Sequence, residues 1–129
     1  MRPGSRVVVL MSAYNGERYI GEQLQSILRQ LPPGGRVLVR DDGSTDGTLA
    51  AVAALADPRI EVQRGDNLGF GASFLTLLAQ VPDDADLVLF ADQDDVWLPG
   101  KIERAAAALV RFGARPALYG SAQMLVDEA

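Results

Sequence analysis

Residues 7–31 read VVVLMSAYNGERYIGEQLQSILRQL, and the fold is decided here. The opening run, Val7 to Met11, is continuously apolar and rich in valine, the pattern of a strand covered on both faces in a parallel sheet. Ser12 to Gly16 read as a loop. From Glu17 to Leu31 the apolar residues Ile20, Leu24, Ile27, Leu28 and Leu31 recur at helical spacing, and Pro32-Pro33-Gly34-Gly35 ends the helix. Strand, polar loop and amphipathic helix together make one β-α unit.

The unit repeats along the chain. Arg36 to Arg40 predicts a second strand, closed by Asp41-Asp42-Gly43-Ser44, and Ser44, Thr45 or Asp46 can cap a helix whose face is marked by Leu49, Val52, Ala53 and Ala56. A short strand is expected around Ile60 to Val62, then the turn Gly65 to Gly69, then a helix from about Phe70 to Gln80 with Phe74, Leu77 and Leu78 inward. Leu87 to Phe90 reads as another fully apolar strand. Pro99 suits the first turn of a helix over Lys101 to Phe112, with Ile102, Ala105, Leu109 and Phe112 inward. Ala117 to Val126 is a candidate last strand. Alternating strands and helices imply an α/β fold, a mostly parallel Rossmann-like sheet flanked by helices.

The composition narrows the chemistry. The chain has 129 residues, 48% of them apolar, enough for one domain with a real core. It contains neither cysteine nor histidine, which removes thiol nucleophiles, Ser-His-Asp triads, disulfides and imidazole or thiolate zinc sites. Acid–base and metal work therefore falls to carboxylates. The net charge of −5 argues against nucleic acid as a partner, although a phosphate ligand held through a divalent cation is compatible with it. Val7–Met11 is too short for a signal-peptide core, and nothing approaches the roughly 20 apolar residues of a spanning helix. A cytoplasmic location is the simplest expectation.

Three polar clusters each follow a predicted strand: Ser12 to Asn15, Asp41 to Ser44 and Asp92 to Asp95. Ligands of open α/β sheets bind beyond the carboxyl ends of strands, so the clusters are expected to converge on one crevice. Asp92-Gln93-Asp94-Asp95 sets three carboxylates in four residues, which repel one another unless a cation or donors compensate. Mg²⁺ or Mn²⁺ would suit them, being hard cations that share oxygen ligands with phosphates; a solvated turn with Asp95 as a helix cap is the alternative. An aspartate of the Asp41-Asp42 doublet can accept the imide N–H of a uracil or thymine ring, with backbone N–H groups around Gly43 near the nucleotide. The same stretch also reads as a tight turn and helix cap. Trp97 can stack on a ligand or close the core, and Lys101 and Arg104 read as exposed.

Taken in order, residues 7–17, then DDGSTDGT at 41–48, Asn67-Leu68-Gly69 and DQDDVWLP at 92–99 resemble a family 2 glycosyltransferase of the GT-A fold. The last motif, with Lys101 beyond it, is similar to rhamnosyltransferase-like members acting on cell-surface polysaccharides. The resemblance implies that Ser12, Ala13 and Tyr14 lie along the nucleotide, with Glu17 near its ribose or base. Asp42 or Asp41 would bind the pyrimidine beside Gly43, and Asn67 and Gly69 would sit near nucleotide or sugar. Asp92-Gln93-Asp94 would be the D-x-D motif, with Asp94 the direct metal ligand and Asp92 at the ribose or the metal shell. It further implies transfer with inversion from a nucleoside-diphosphate sugar, dTDP-rhamnose or a UDP-sugar, to a glycan or lipid-linked acceptor.

Members of this family continue well beyond the D-x-D strand, and that later part supplies the acceptor site and the base. Residues 1–129 are therefore expected to be a nucleotide-sugar-binding domain incomplete at its C-terminus, and no catalytic base is named. Such a chain leaves room for a homodimer and for peripheral association with the inner face of a membrane. Two alternatives stay open: a receiver-like Mg²⁺-binding signalling domain, and a nucleotide-sugar-binding module without catalysis. The order of motifs disfavours the receiver, whose acidic pair should follow the first strand.

Overall fold

The computed structural model describes residues 6–110. The elements alternate strictly: β1 (Val7–Ala13), α1 (Ile20–Leu28), β2 (Arg36–Asp41), α2 (Thr48–Ala53), β3 (Ile60–Arg64), α3 (Phe70–Leu78), β4 (Leu87–Asp92) and α4 (Lys101–Val110). The candidate strand at Ala117 to Val126 lies outside the described residues. The four strands are parallel in the order β3-β2-β1-β4. β1 is thus an inner strand, which is why its sequence is an unbroken apolar run.

Alternation along β1 divides the core in two. Val7, Val9, Met11 and Ala13 face one layer, where they pack with Ile20, Leu24 and Ile27 of α1, Val52 of α2 and Ile102 of α4. Val8 and Leu10 face the other and meet Phe74 and Leu77 of α3 together with Leu38 of β2. The helices end where their chemistry runs out. Two prolines and two glycines follow the α1 region, and α2 ends one residue before Ala54 takes the C-cap.

Several sequence-based expectations are corrected. Leu78 is exposed, because α3 turns only Ser73, Phe74 and Leu77 inward. β4 is not covered on both faces: its Phe90 is 53% exposed, stacked edge-on against Phe74 with ring centroids 5.4 Å apart. Ala53 and Ala56 are exposed, α2 being too short to carry the predicted stripe. α1 starts at Ile20 rather than Glu17; α4 starts at Lys101 as expected, but Gly100 at φ 84° separates Pro99 from its first turn. Phe112 lies outside the described residues.

The packing predicts a clear contrast. Leu10→Ala should cost about 2–5 kcal/mol, since Leu10 is fully buried at the centre of the sheet. Leu75→Ala, on the 67% exposed face of α3, should stay within about 0.5 kcal/mol of wild type. Urea unfolding of the two variants measures the difference.

Candidate functional site

The strand order reverses beside β1: successive strands run outward through β2 and β3, then β4 crosses back to the other side. Such a reversal opens a crevice at the carboxyl ends of the strands. In the register, Ser12 at the end of β1 pairs with Asp92 of β4 on one side and with Arg40 of β2 on the other. A cavity of about 560 Å³ lies there, lined by Ser12, Tyr14, Asp42, Asn67, Gly69, Phe70, Asp92, Gln93 and Asp94. All three polar clusters contribute to it.

Four of the residues singled out from sequence do not line the cavity. Ala13 is buried in the core, where its carbonyl accepts the Asp42 N–H at 2.8 Å. Glu17 sits to one side with its N–H on Asp46. Gly43, at φ 84°, makes the turn behind the wall, and a Cβ there would stand 3.1 Å from the Asn67 nitrogen. Asp41 points to the opposite face from Asp42; its Oδ2 accepts the Ser44 N–H at 3.3 Å, while its buried Oδ1 has no partner among the described residues. The cap of α2 comes from Asp46, whose Oδ1 accepts the Thr48 N–H at 3.0 Å, and Gly47 holds the N-cap position.

Asp42 is held from several directions. Its Oδ1 accepts from the Arg40 guanidinium and from the Leu68 N–H at 2.9 Å, and its Oδ2 accepts from the Gly69 N–H at 3.0 Å. Burial by itself would raise this carboxyl, but the Leu68 N–H, the Arg40 side chain and the Gly69 N–H outweigh it and hold the pKa below the usual carboxylate value. Asn67 closes the turn by donating Nδ2 to the Asp42 carbonyl at 3.1 Å.

Asp92 is pushed the other way. Burial first, then the charges of Asp95 and Asp94 and a hydrogen bond with Asp95, raise its pKa; Lys101 opposes this. Asp94 is exposed beside it. Among the described residues no three carboxylates form a complete metal cage. Two hard oxygen donors facing a cavity are the partial set that suits Mg²⁺ or Mn²⁺, ions that take the rest of their ligands from phosphates and water. Gln93 is already occupied: its Oε1 accepts the Tyr14 N–H at 2.8 Å and its Nε2 donates to the Tyr14 carbonyl at 2.7 Å. Gly16 makes room for it, since a Cβ there would run into the Gln93 amide.

Sequence reading missed the floor of the acidic loop. Gln23 Nε2 donates to the Asp92 carbonyl at 2.8 Å, Ser26 Oγ accepts the Trp97 N–H at 2.9 Å, and Gln30 bridges the Leu98 carbonyl and the Ile102 N–H. Gln23 and Ser26 on α1 and Gln30 just past its C-cap recur at helical spacing, the signal that could have exposed them. Trp97 is buried and closes the core, with Lys101 Nζ 4.9 Å from its ring centroid, so Lys101 is half-buried rather than fully exposed. Phe70, a cavity wall at 66% exposure, was also missed, because an aromatic at the start of an apolar helix reads as core.

A parallel, helix-covered sheet with a carboxylate-lined crevice at its switch point defines a Rossmann-like α/β domain of the ligand-binding kind. The chain belongs to glycosyl transferase family 2, whose family model matches residues 8–120. It is 38% identical over 106 residues to the dTDP-rhamnosyl transferase RfbG of Shigella flexneri, covering 78% of this chain and 37% of that protein. It is 36% identical over 114 residues to the succinoglycan biosynthesis protein ExoW of Rhizobium meliloti, covering 85% of this chain and 36% of ExoW. Crystal structures of TarS from S. aureus match with a TM-score of 0.72 and 32% identity; for TarS 1–349 in complex with UDP-GlcNAc the match covers 82% of this chain and 31% of that one. The mannosyltransferase PcManGT from Pyrobaculum calidifontis, in complex with GDP-Man and Mn²⁺, matches at 0.68 and 30% identity over 85% of this chain and 32% of its own. The sheet is therefore of GT-A type, and the chain spans about a third of the length of these relatives. Membership of this family sets aside the receiver-like alternative.

Because the folded-state pKa of Asp92 lies above its unfolded value, ionising it as pH rises through that range lowers stability. Asp92→Asn should raise the melting temperature of the metal-free protein near neutral pH. The gain should vanish once pH falls below the ordinary carboxylate range, in thermal melts followed by circular dichroism. A gain equal at all pH values would point to packing instead of charge.

Proposed function

We propose that the cavity holds a nucleoside-diphosphate sugar, dTDP- or UDP-linked, and that residues 1–129 are the donor-binding unit of a glycosyltransferase acting with inversion on a glycan or lipid-linked acceptor. The observation that carries this reading is one cavity with two oppositely shifted carboxylates, Asp42 and Asp92, the second with Asp94 beside it on the cavity wall. Asp42, firmly ionised, is the station for an imide N–H of uracil or thymine; Asp41, turned away from the cavity, is not. Ser12, Tyr14, Asn67 and Gly69 would run along the nucleotide between the stations. Support comes from RfbG, named for a dTDP-linked donor, and from TarS, solved with UDP-GlcNAc.

Asp94 and Asp92 would hold Mg²⁺ or Mn²⁺, which supplies Lewis-acid stabilisation of the charge that develops on a departing diphosphate. The chain's own residues bind and orient the donor: Gln23 and Ser26 of α1, with Gln30 just beyond it, fix the acidic loop from below, and Gln93 pins the Tyr14 wall. The acceptor site and the general base are assigned to no residue of this chain.

Calorimetric titration with UDP, dTDP and GDP, each with and without Mn²⁺, tests the reading. The pyrimidine diphosphates should bind with Mn²⁺ and at least about tenfold more weakly without it, and Asp94→Ala should reproduce the metal-free result. Equal binding in metal-free buffer would remove the metal assignment, and no nucleotide binding at all would remove the donor site.

A further inference from the structure

Arg40 is buried, at 5% exposure, and the proposed function gives it no direct role. On β2 it precedes Asp42 by two residues, so the alternation of the strand turns both side chains to the α3 face. Its guanidinium joins pieces of the cavity wall. Nη1 donates to Asp42 Oδ1 and to Ser73 Oγ at 3.1 Å, and Nη2 donates to the Asp66 carbonyl at 3.1 Å. Ser73, fully buried on α3, in turn meets Ser12 Oγ at 2.6 Å. A continuous hydrogen-bonded chain, Asp42–Arg40–Ser73–Ser12, thus links a cavity-lining residue just past β2 to one on β1.

We infer that Arg40 is a positioning residue for nucleobase selection: by clamping Asp42 as an acceptor-only carboxylate, it makes the pocket select bases that present a ring N–H over those that present a bare ring nitrogen. The inference rests on the donor-site reading above. Two backbone N–H groups and one guanidinium N–H use three acceptor positions of the carboxylate, leaving one on Oδ2, and Asp42 lines the cavity. Uracil and thymine carry N3–H, which that position accepts. Cytosine N3 is an acceptor, and two acceptors face to face repel; cytosine pairs through N3 there once a proton lies between them, as on a protonated Asp42. The Asp42 carboxylate is met by the Leu68 and Gly69 N–H groups and the Arg40 guanidinium, its carbonyl is met by Asn67 Nδ2, and the charged residues that share its cavity are Asp92 and Asp94. Among the described residues, Arg40 supplies the charged side chain hydrogen-bonded to Asp42. Removing it leaves a buried carboxyl with its desolvation less opposed, so protonation becomes easier and the base filter loosens.

Gly65 supplies an independent handle on the same device. A Cβ on Gly65 would run into the Arg40 guanidinium, so Gly65→Ala displaces the clamp while keeping its charge and leaving the cavity lining intact.

The test is the ratio of UDP to CDP affinity, measured by titration with Mn²⁺ present from about pH 5.5 to pH 8 for wild type, Arg40→Met and Gly65→Ala. The wild-type ratio should favour UDP and stay flat across the range. In both variants it should fall by about tenfold toward the acid end, as protonated Asp42 admits CDP. A purely structural role would weaken both nucleotides together and leave the ratio unchanged. Should Arg40→Met fail to fold, judged by circular dichroism, Gly65→Ala decides. An unchanged ratio in a folded variant, or a wild-type ratio that itself falls with acid, overturns the inference, whereas wild-type protein that binds no nucleotide overturns the donor-site reading instead.

Discussion

The site depends on β1 lying between β2 and β4 with its side chains alternating between two helical layers. A parallel inner strand has no face to spare for water, so Val7 to Met11 must all be apolar, and polarity can begin only where the strand runs out. That point is Ser12, paired with Asp92 on one side and Arg40 on the other. A slip of one residue would exchange the two layers of β1 and carry Ser12 from Ser73 into the layer packed by α1. Register and site are therefore one constraint.

The second requirement is that polar groups entering the buried layers find partners, since an unpaired buried donor or acceptor costs about 1–3 kcal/mol. α1 shows how this is met. Gln23 is fully buried, yet its Nε2 reaches the Asp92 carbonyl and its Oε1 meets Ser26 Oγ, which also receives the Trp97 N–H. The loop that carries three aspartates is thereby held by its backbone. Its carboxylates are left to face the cavity and solvent, and burial first, then repulsion from Asp95 and Asp94, keeps the Asp92 pKa raised.

Much of this was legible in the sequence, for a specific reason. Burial of a parallel strand and the polar break at its end leave a direct trace in residue order, so the β-α alternation and the convergence of the three clusters follow from Val7 to Met11, Val37 to Val39 and Leu87 to Phe90. What sequence order does not encode is which side of a loop a residue faces. Asp41 and Asp42 are equivalent as letters; one extra step along the pleat turns Asp42 to the cavity and Asp41 away from it. Gln93 reads as a ligand residue because it lies inside the acidic motif, yet a contact across 79 positions with Tyr14 occupies its amide. Phe90 reads as core because it ends an apolar run, and its exposure reflects the edge position of β4 among the described residues, which only the strand order reveals.

The two acidic stations illustrate how one residue type is given two jobs without histidine or cysteine. Around Asp42 the protein supplies the compensating donors itself, a guanidinium and two backbone N–H groups, and the carboxylate stays ionised with its orientation fixed. Around Asp92 the neighbours are mostly carboxylates, so compensation has to arrive from outside as protons or a cation. A group whose charge is balanced internally discriminates by hydrogen-bond pattern; a group left unbalanced attracts positive charge. Under the proposed function those are the needs of the two ends of a nucleoside diphosphate, a base read by its N–H edge and a diphosphate brought in with its metal. On that reading the opposite pKa directions of Asp42 and Asp92 would match the polarity of such a ligand.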